Sequence, residues 1–600
     1  MSLGILISEL LRVLIMGLIW RGAICPVSAV ISIAELAPAE RGSFPRWVPN
    51  LSESKPVDYG PDSEWNQTIF NRHLHCAGML KAGYLKTLKR EDYVHANRML
   101  RRMDARICRH DLRLSMDDYE LRDWCKAKSR DCSLIVKKHN PENAETLIRA
   151  KLHCYGIPFK EDGELLESDL ERFCCEMWWR RQVRKLQGRE LDEIARSMRL
   201  VNAGGQIYTS NQTIFDRRKR QASNRALLSE MVATNQEGQQ YTLAELSDLS
   251  VSNPEIRRSE LMVRIAGFEQ VADSMGLIGE FYTITCPSKF HPMLTSYETY
   301  TNQHGQKKKR FKGCYENPKY NGATVRDSQE YLCNLWSRIR AGLARRDIGI
   351  FGFRVAESHH DGCPHWHLLL FMARGDAGPC RALFREYALA EDGAEVGAAR
   401  HRFTAERIDK AKGTAVGYLA KYISKNINGA GLEGESDLFG ADAVSSSERV
   451  QAWASCHGIR QFQQIGGPCV GPWRELRRLA AEDCPESLED YRAAADASDW
   501  AAYVMLMGGP FCGRDQSVKV ARWHEVDTET GEMLDAPVSR YGEETAGKVV
   551  GLWHAGEVVC TRFYTWVVER IRGFGQILNR EFLGSGANAP PWSPVNNCTG

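Results

Sequence analysis

The residues best suited to metal chemistry lie between positions 351 and 372. His365 and His367 are one residue apart and precede an apolar Leu-Leu-Leu-Phe run, a pattern that predicts a buried strand. Side chains alternate along a strand, so both imidazoles face the same side. Glu357 lies in the preceding apolar run, across a polar segment with Asp-Gly and Pro that predicts a turn. Such a hairpin favours a two-histidine, one-carboxylate site for a divalent cation, and water-facing histidines are the alternative.

A second reactive group lies on a predicted helix at residues 417–426, which ends in an Asn-Ile-Asn-Gly stop signal. At 3.6 residues per turn, four polar side chains share one face of this helix. They are Tyr418, Lys421, Tyr422 and Lys425. The two phenols are about 6 Å apart along the helix axis. An ordinary core helix carries Leu or Val at such positions, so the pattern favours chemistry over packing.

Together these two groups resemble the HUH endonucleases, which initiate rolling-circle replication. Residues 281–285, with the sequence FYTIT, are similar to the first motif of that class. The PHWH sequence at 364–367 is similar to the second motif, and the tyrosine pair is similar to the third. The flanking residues 354–371 and 458–479 resemble the replication gene A protein of temperate tailed phages and their prophages.

This resemblance implies a site- and strand-specific DNA endonuclease that nicks a phage replication origin, in the hydrolase class acting on phosphodiester bonds. Tyr418 or Tyr422 attacks the scissile phosphate, which leaves a 5′-phosphotyrosine bond and a free 3′-hydroxyl that starts rolling-circle DNA replication. The second tyrosine allows the strand to be rejoined later. Lys421 and Lys425 are expected to stabilise the phosphotyrosine charge or protonate the leaving oxygen, and surface lysines without a role are the alternative.

The expected cofactor is a divalent metal, Mg²⁺ or Mn²⁺, bound by His365, His367 and Glu357 and polarising the scissile phosphate. Two other classes of function remain open. A metal-dependent nuclease that uses water forms no covalent intermediate. A non-catalytic protein only binds the origin.

DNA-contacting residues are expected on the first predicted strand and in a basic insertion. Thr283 and Thr285 share one face of that strand and present hydroxyls towards DNA or the metal site. The basic run is predicted to form a loop that contacts the DNA backbone. It consists of Lys307, Lys308, Lys309 and Arg310.

The implied partners are single-stranded or supercoiled origin DNA, a host replicative-type helicase and the replication machinery. A separate helicase is expected because residues 542–549 match a P-loop in all but the last position, where Val549 replaces the magnesium-binding hydroxyl. No stable membrane partner is expected, because Glu9 and Arg12 interrupt the apolar residues near the start of the sequence. The expected location is the cytoplasm of a bacterial host cell.

Composition and charge describe an ordinary globular chain of 600 residues, of which 43% are hydrophobic and 26% charged. The net charge of +3 is nearly neutral, so a nucleic-acid surface must come from local clusters of basic residues. The 19 cysteines show no repeated pair spacing, which argues against a disulfide framework. Those between residues 108 and 175 are predicted to be buried free thiols, with a zinc site as the alternative.

The expected fold class is α+β. The resemblance implies a central antiparallel sheet of about five strands, related to RNA-recognition folds, and the element order predicts helices on one face. Residues 1–62 are predicted to be an apolar appendage and linker of doubtful role, and 63–275 a mainly helical region that is a candidate for DNA binding. The HUH endonuclease domain is predicted at 276–480, and a C-terminal region of unknown role with a disordered tail at 481–600.

Local patterns also predict individual elements around the site. Strands are expected at 277–286 and 402–409, and helices at 326–346 and 380–390. His73 and His75 repeat the spacing of the metal-binding pair but lack the following apolar strand. They are therefore predicted to lie on a solvated stretch of helix.

Overall fold

The structure is a computed structural model that describes residues 62–159, 165–301, 307–411, 413–427, 443–523 and 538–571. The predicted appendage, except for residue 62, and the predicted disordered tail at 584–600 therefore lie outside the described residues. None of the helices in the described part combines the length and apolar composition needed to cross a bilayer.

Helices dominate the first part of the chain, and strands and helices alternate in the rest. The helices are α1 Ser63–Arg72, α2 Ala77–Arg90, α3 Tyr93–Ile107, α4 Asp118–Lys138, α5 Pro141–Tyr155, α6 Glu167–Phe173, α7 Glu176–Ser197, α8 Asn211–Ser229, α9 Leu243–Asp248, α10 Pro254–Ser274, α11 Val325–Arg345, α12 Ala377–Leu389, α13 Ala398–His401, α14 Ala415–Ile427, α15 Ala443–His457, α16 Val470–Leu476, α17 Glu486–Asp496 and α18 Trp500–Leu506. The strands are β1 Cys108–Arg109, β2 Leu112–Arg113, β3 Met231–Asn235, β4 Gln240–Thr242, β5 Ile278–Thr285, β6 Met293–Thr301, β7 Lys307–Glu316, β8 Phe351–Ser358, β9 Pro364–Met372, β10 Phe403–Arg407, β11 Phe462–Ile465, β12 Val518–Trp523, β13 Lys548–His554, β14 Glu557–Cys560 and β15 Trp566–Arg570.

The N-terminal helices form their own apolar core, rich in aromatic side chains. Their boundaries follow local signals: Asp117 caps α4 in a capping box with Glu120, and Asn140 precedes Pro141 at the start of α5. Cys125 and Cys132 are buried free thiols, as predicted, whereas Cys154 is a free thiol that is exposed.

A five-stranded antiparallel sheet forms the centre of the rest of the chain, which confirms the predicted α+β class. Its strand order is β10-β5-β9-β8-β11, and every neighbouring pair is antiparallel. Strands β8 and β9 are joined by the predicted turn. The cross-strand register places Glu357 opposite His365, and Thr283 opposite His367.

Helices pack on both faces of this sheet, whereas the sequence pattern indicated one face. Helices α11, α12 and α15 cover the face that carries Trp366 and Leu368. Helices α10, α14, α16, α17 and α18 cover the opposite face, which carries Leu369 and Phe371. Every residue of β8 is buried, so both faces require apolar partners. Part of the second layer comes from residues after 480, whose role is not predicted from the sequence.

A separate two-stranded ribbon is formed by β6 and β7. The basic residues 307–310 form the start of β7, so the prediction that they form a loop is wrong. The reason is that β6 is rich in Thr and Tyr, which favour an extended strand, and that it pairs with 307–316. Side chains of the outer half of β6, from Tyr297 to Thr301, are exposed.

A buried polar cluster on α7 joins the N-terminal helices to the central sheet. Asp192 is fully buried, accepts a hydrogen bond from the backbone N–H of Ser210 at 2.8 Å, and lies 3.0 Å from His457 Nε2. One turn further along α7, Arg196 Nε donates to the carbonyl oxygen of Asp361 at 2.9 Å, in the turn between β8 and β9. Packing therefore crosses the predicted boundary between residues 275 and 276.

We expect Asp192→Ala to lower the free energy of unfolding by about 3–5 kcal/mol, because it leaves His457 and a backbone N–H buried without their partner. Urea denaturation followed by circular dichroism measures this. The matched control is Asp248→Ala, which removes an exposed ion pair with Arg225 and should cost less than about 1 kcal/mol. Equal losses for the two variants would contradict a connecting role for the cluster.

Candidate active site

The β8–β9 hairpin brings Glu357, His365 and His367 together. The carboxylate Oε2 lies 3.5 Å from His365 Nε2 and 3.4 Å from His367 Nε2. One candidate ligand atom from each residue lies within 4.8 Å of the other two. The three residues predicted as metal ligands therefore form one group, and metal binding by this group stays a prediction.

The two oxygens of Glu357 have different partners. Oε2 faces the histidines, whereas Oε1 lies 3.3 Å from Lys425 Nζ and accepts a hydrogen bond from Asn426 Nδ2 at 3.2 Å. Burial raises the pKa of Glu357, but Lys425 and the two histidines outweigh this and hold the pKa well below its ordinary value. Glu357 is therefore a charged carboxylate, with one oxygen bound to α14 and the other directed at the imidazoles.

His365 has the chemical form that a metal requires. Burial lowers the pKa of His365 to about 4, although Glu357 opposes this shift, so the ring is neutral near pH 7. Thr283 Oγ1 lies 2.9 Å from His367 Nδ1, and His367 Nε2 is directed at Glu357. A partner on the far ring nitrogen fixes the tautomer and orientation of a metal-binding histidine. Two imidazole nitrogens and one carboxylate oxygen fit a divalent metal such as Mn²⁺ or Mg²⁺.

Phe281 on β5 packs between His367 and the tyrosine helix α14. Its ring centroid is 5.5 Å from that of His367, 5.6 Å from that of Tyr422 and 6.1 Å from that of Tyr418. The rings of His367 and Tyr422 are 4.4 Å apart. Burial and the nearby Glu357 raise the pKa of Tyr422 to about 12, so its phenol is protonated at neutral pH. Tyr422 is thus in direct contact with a predicted metal ligand.

The tyrosine helix is anchored at both ends. At its start, the carboxylate of Glu269 on α10 accepts hydrogen bonds from the backbone N–H groups of Ala415 at 2.8 Å and Val416 at 3.4 Å. At its end, Asn426 Oδ1 accepts a hydrogen bond from Gln461 Nε2 at 3.2 Å. Because Asn426 also donates to Glu357, the position of the phenols is fixed relative to the histidines.

The other predicted site residues are not all part of this group. The hydroxyl of Thr285 donates to the carbonyl oxygen of His401 at 2.6 Å, so it is bound to the neighbouring strand region rather than to a histidine ring. Lys307 and Arg310 are exposed on the ribbon. The side chains of Lys308, Lys309 and Lys421 lie outside the described part of the structure.

Three residues at the site were not predicted from the sequence as site residues: Phe281, Asn426 and Tyr208. Phe281 lies two residues before Thr283 on β5, so strand periodicity places it on the same face as Thr283 and His367. Asn426 follows Tyr422 by four residues and extends the polar face of the helix. Tyr208 comes from the segment between α7 and α8, where no local signal relates it to the site.

A second metal-capable group lies in the N-terminal region and consists of His73, Asp104 and Cys108. His73 is fully buried, so the prediction of a solvated position is wrong. Its ring nitrogens lie 2.7 Å from Ser115 Oγ and 2.7 Å from Asp104 Oδ1, and Arg72 also binds Asp104. Both ring nitrogens and the carboxylate have protein partners, and Arg72 neutralises Asp104, which favours a structural polar cluster.

Comparison with known proteins identifies a family and several relatives. The family described as bacteriophage replication gene A protein (GPA) matches residues 155–430. The chain is 40% identical over 437 residues to the replication gene A protein of Escherichia phage 186, covering 71% of this chain and 58% of that protein. It is 38% identical over 445 residues to the probable replication protein P12 of Pseudoalteromonas phage PM2, covering 73% and 62%. It is 34% identical over 477 residues to a probable replication endonuclease from a prophage-like region of Salmonella paratyphi A, covering 76% and 55%.

The chain thus spans between 55% and 62% of the length of these three relatives. No solved structure matches the chain significantly.

Thr283→Val should weaken Mn²⁺ binding about 10-fold or more, because the ring of His367 loses the partner that orients it. Electron paramagnetic resonance of free Mn²⁺ during titration of the full chain measures the affinity. Thr285→Val is the matched control: it removes a neighbouring hydroxyl of the same strand face, bound to a backbone carbonyl, and should leave Mn²⁺ affinity unchanged. Equal effects of the two substitutions would contradict the orienting role of Thr283.

Proposed function

This chain belongs to the bacteriophage replication gene A protein family, and from that premise we propose that it is a DNA-nicking endonuclease that initiates phage replication. The proposed reaction is tyrosine transesterification at a replication origin, followed by rolling-circle DNA synthesis and later rejoining of the strand. The observation that carries the proposal is the contact of Tyr422 with His367, beside the buried Glu357. The relatives that are named as replication proteins or as a replication endonuclease support the role of an endonuclease in phage replication.

The chemistry uses the residues of the hairpin and the tyrosine helix. A Mg²⁺ or Mn²⁺ ion bound by His365, His367 and Glu357 would polarise the scissile phosphate and offset the charge that develops on its oxygens. Tyr422 Oη attacks the phosphorus, and the bond from phosphorus to the 3′-oxygen breaks. The phenol loses its proton and the 3′-oxygen gains one. One phosphodiester bond replaces another, so resealing requires no external energy source.

Two phenols on one helix face allow two successive transfers. Tyr422 holds the 5′-phosphate of the first nick, and Tyr418, one turn earlier on the same face, attacks the junction that replication regenerates. The ammonium group of Lys425 stabilises the phosphotyrosine charge or protonates the leaving oxygen, and Lys421 is proposed for the same role. A nuclease that uses activated water has no use for a pair of phenols beside the metal ligands, which favours the covalent route.

The proposed partners are single-stranded or supercoiled origin DNA, a host replicative-type helicase and the host replication machinery, in the bacterial cytoplasm. The basic ribbon is the proposed contact with the DNA backbone. Lys307 and Arg310 are exposed there, as are the aromatic rings of Tyr297 and Tyr300. Lysine and arginine neutralise phosphates, and exposed aromatic rings stack on unpaired bases.

We expect Tyr422→Phe to abolish the first covalent adduct, whereas Tyr418→Phe still forms it but fails to complete strand transfer. Each change keeps the ring packing and removes only the nucleophilic oxygen. The double variant should bind single-stranded DNA and form no adduct. The test incubates each protein with Mn²⁺ and a pool of single-stranded oligonucleotides of random sequence, and mass spectrometry then identifies the nucleotide-bearing peptide. An adduct outside α14, or one formed by the double variant, would overturn the mechanism.

We expect Lys307→Ala combined with Arg310→Ala to weaken binding to single-stranded DNA of any sequence. Two lost phosphate contacts should reduce the slope of the logarithm of affinity against the logarithm of salt concentration by about 1.4. Fluorescence anisotropy with an oligothymidine probe measures this slope. Lys137→Ala combined with Lys138→Ala, at the exposed end of α4, removes the same charge as a control. An unchanged slope in the ribbon variant would exclude the ribbon as a DNA contact.

A further inference from the structure

Tyr208 reaches the candidate active site from the N-terminal region, in the segment between α7 and α8. Its side chain is buried, with 3% of the residue exposed. Its φ angle is +67°, a conformation that is rare for a bulky residue. The backbone N–H of Thr209 donates to the carbonyl oxygen of Ile207 at 2.8 Å, which closes a three-residue γ-turn around Tyr208. A γ-turn with a positive central φ is uncommon and strained.

The surroundings hold this strained turn in place. The N–H of Tyr208 donates to the carbonyl oxygen of His360 at 3.2 Å, between β8 and β9. The hydroxyl of Thr209 donates to Asp192 at 2.8 Å, and the carbonyl oxygen of Thr209 accepts from Arg449 at 3.2 Å. Strained conformations that several neighbours impose occur mainly where function requires them. The effect here is to aim one side chain at α14.

The side chain of Tyr208 contacts Lys425. The lysine Nζ lies 5.1 Å from the centroid of the Tyr208 ring. On its other side the ammonium is 3.3 Å from Glu357 Oε1. Lys425 is therefore held between an aromatic face and a carboxylate, and cation–π attraction strengthens when the cation is shielded from water.

We propose that Tyr208 is a positioning residue that holds Lys425 against Glu357 Oε1, so that Oε2 stays available to a metal ion. The proposal rests on the metal site of the proposed function. The two oxygens of a carboxylate are chemically equivalent, and a lysine on a flexible side chain competes with a cation for either one. Tyr208 removes that competition by fixing the ammonium on the oxygen that points away from the histidines.

The first test needs no metal. Mass spectrometry measures acetylation of Lys425 in the full chain, relative to the exposed Lys410. Tyr208→Leu should raise the ratio about fivefold, because the lysine loses its aromatic partner. Tyr331→Leu, at another buried tyrosine on the same side of the sheet, should not change it. If Tyr208→Leu does not fold, Tyr208→Met, which keeps more of the side-chain volume but has no ring, decides the question and should also raise the ratio about fivefold. An unchanged ratio overturns the proposal.

The second test is a double-mutant cycle on Mn²⁺ affinity, measured by electron paramagnetic resonance without DNA. Tyr208→Leu should weaken Mn²⁺ binding about fivefold in a chain that retains Lys425. In the Lys425→Met chain the same substitution should have no effect, because Tyr208 acts only through the lysine. Equal effects in both chains, or tighter binding, overturn the proposal and indicate a purely structural residue. A native chain that does not bind Mn²⁺ contradicts the metal site of the proposed function, while the acetylation ratio still decides whether Tyr208 holds Lys425.

Discussion

The buried negative charge of Glu357 is the constraint on which the site depends. A buried carboxylate without partners costs several kcal/mol or takes up a proton. Lys425 and Asn426 satisfy one of its oxygens, and both belong to the last turn of the tyrosine helix. The other oxygen is left facing the two histidines. The charge that suits a cation therefore also fixes the helix that carries the proposed nucleophiles.

The N-terminal helices belong to this arrangement rather than forming a separate attachment. Asp192 and Arg196 on α7 bind, respectively, the segment that follows Tyr208 and the turn between β8 and β9. The turn is tightly packed: a side chain at Gly362, whose φ is +88°, would approach the guanidinium of Arg196. The family match agrees with this packing, because it begins at residue 155, well before the predicted start of the nuclease domain at 276.

Local periodicity accounts for what could be predicted from the sequence. Alternation around His365 and His367 and the helical spacing of Tyr418 and Tyr422 located both elements of the site, since each signal is contained within about ten residues. Contacts between distant segments left no such signal. His73 is buried where it contacts Ser115 and Asp104, which lie far from it in the sequence. The helices on the second face of the sheet include segments after residue 480. The strand that contains the basic residues 307–310 is not predicted from the sequence, because a run of charges is typical of a loop and the high β propensity lies in the partner strand.

The carboxylate of Glu269 at the start of the tyrosine helix has a consequence for how DNA approaches. A helix N-terminus commonly binds phosphate through its unpaired N–H groups and the positive end of the helix dipole. In this protein a fixed anion from α10 already occupies that end and neutralises it. A nucleic-acid backbone is therefore not attracted to the axis of the helix. In the proposed reaction the strand would instead lie across the side of the helix, where Lys425 and the phenol of Tyr422 are.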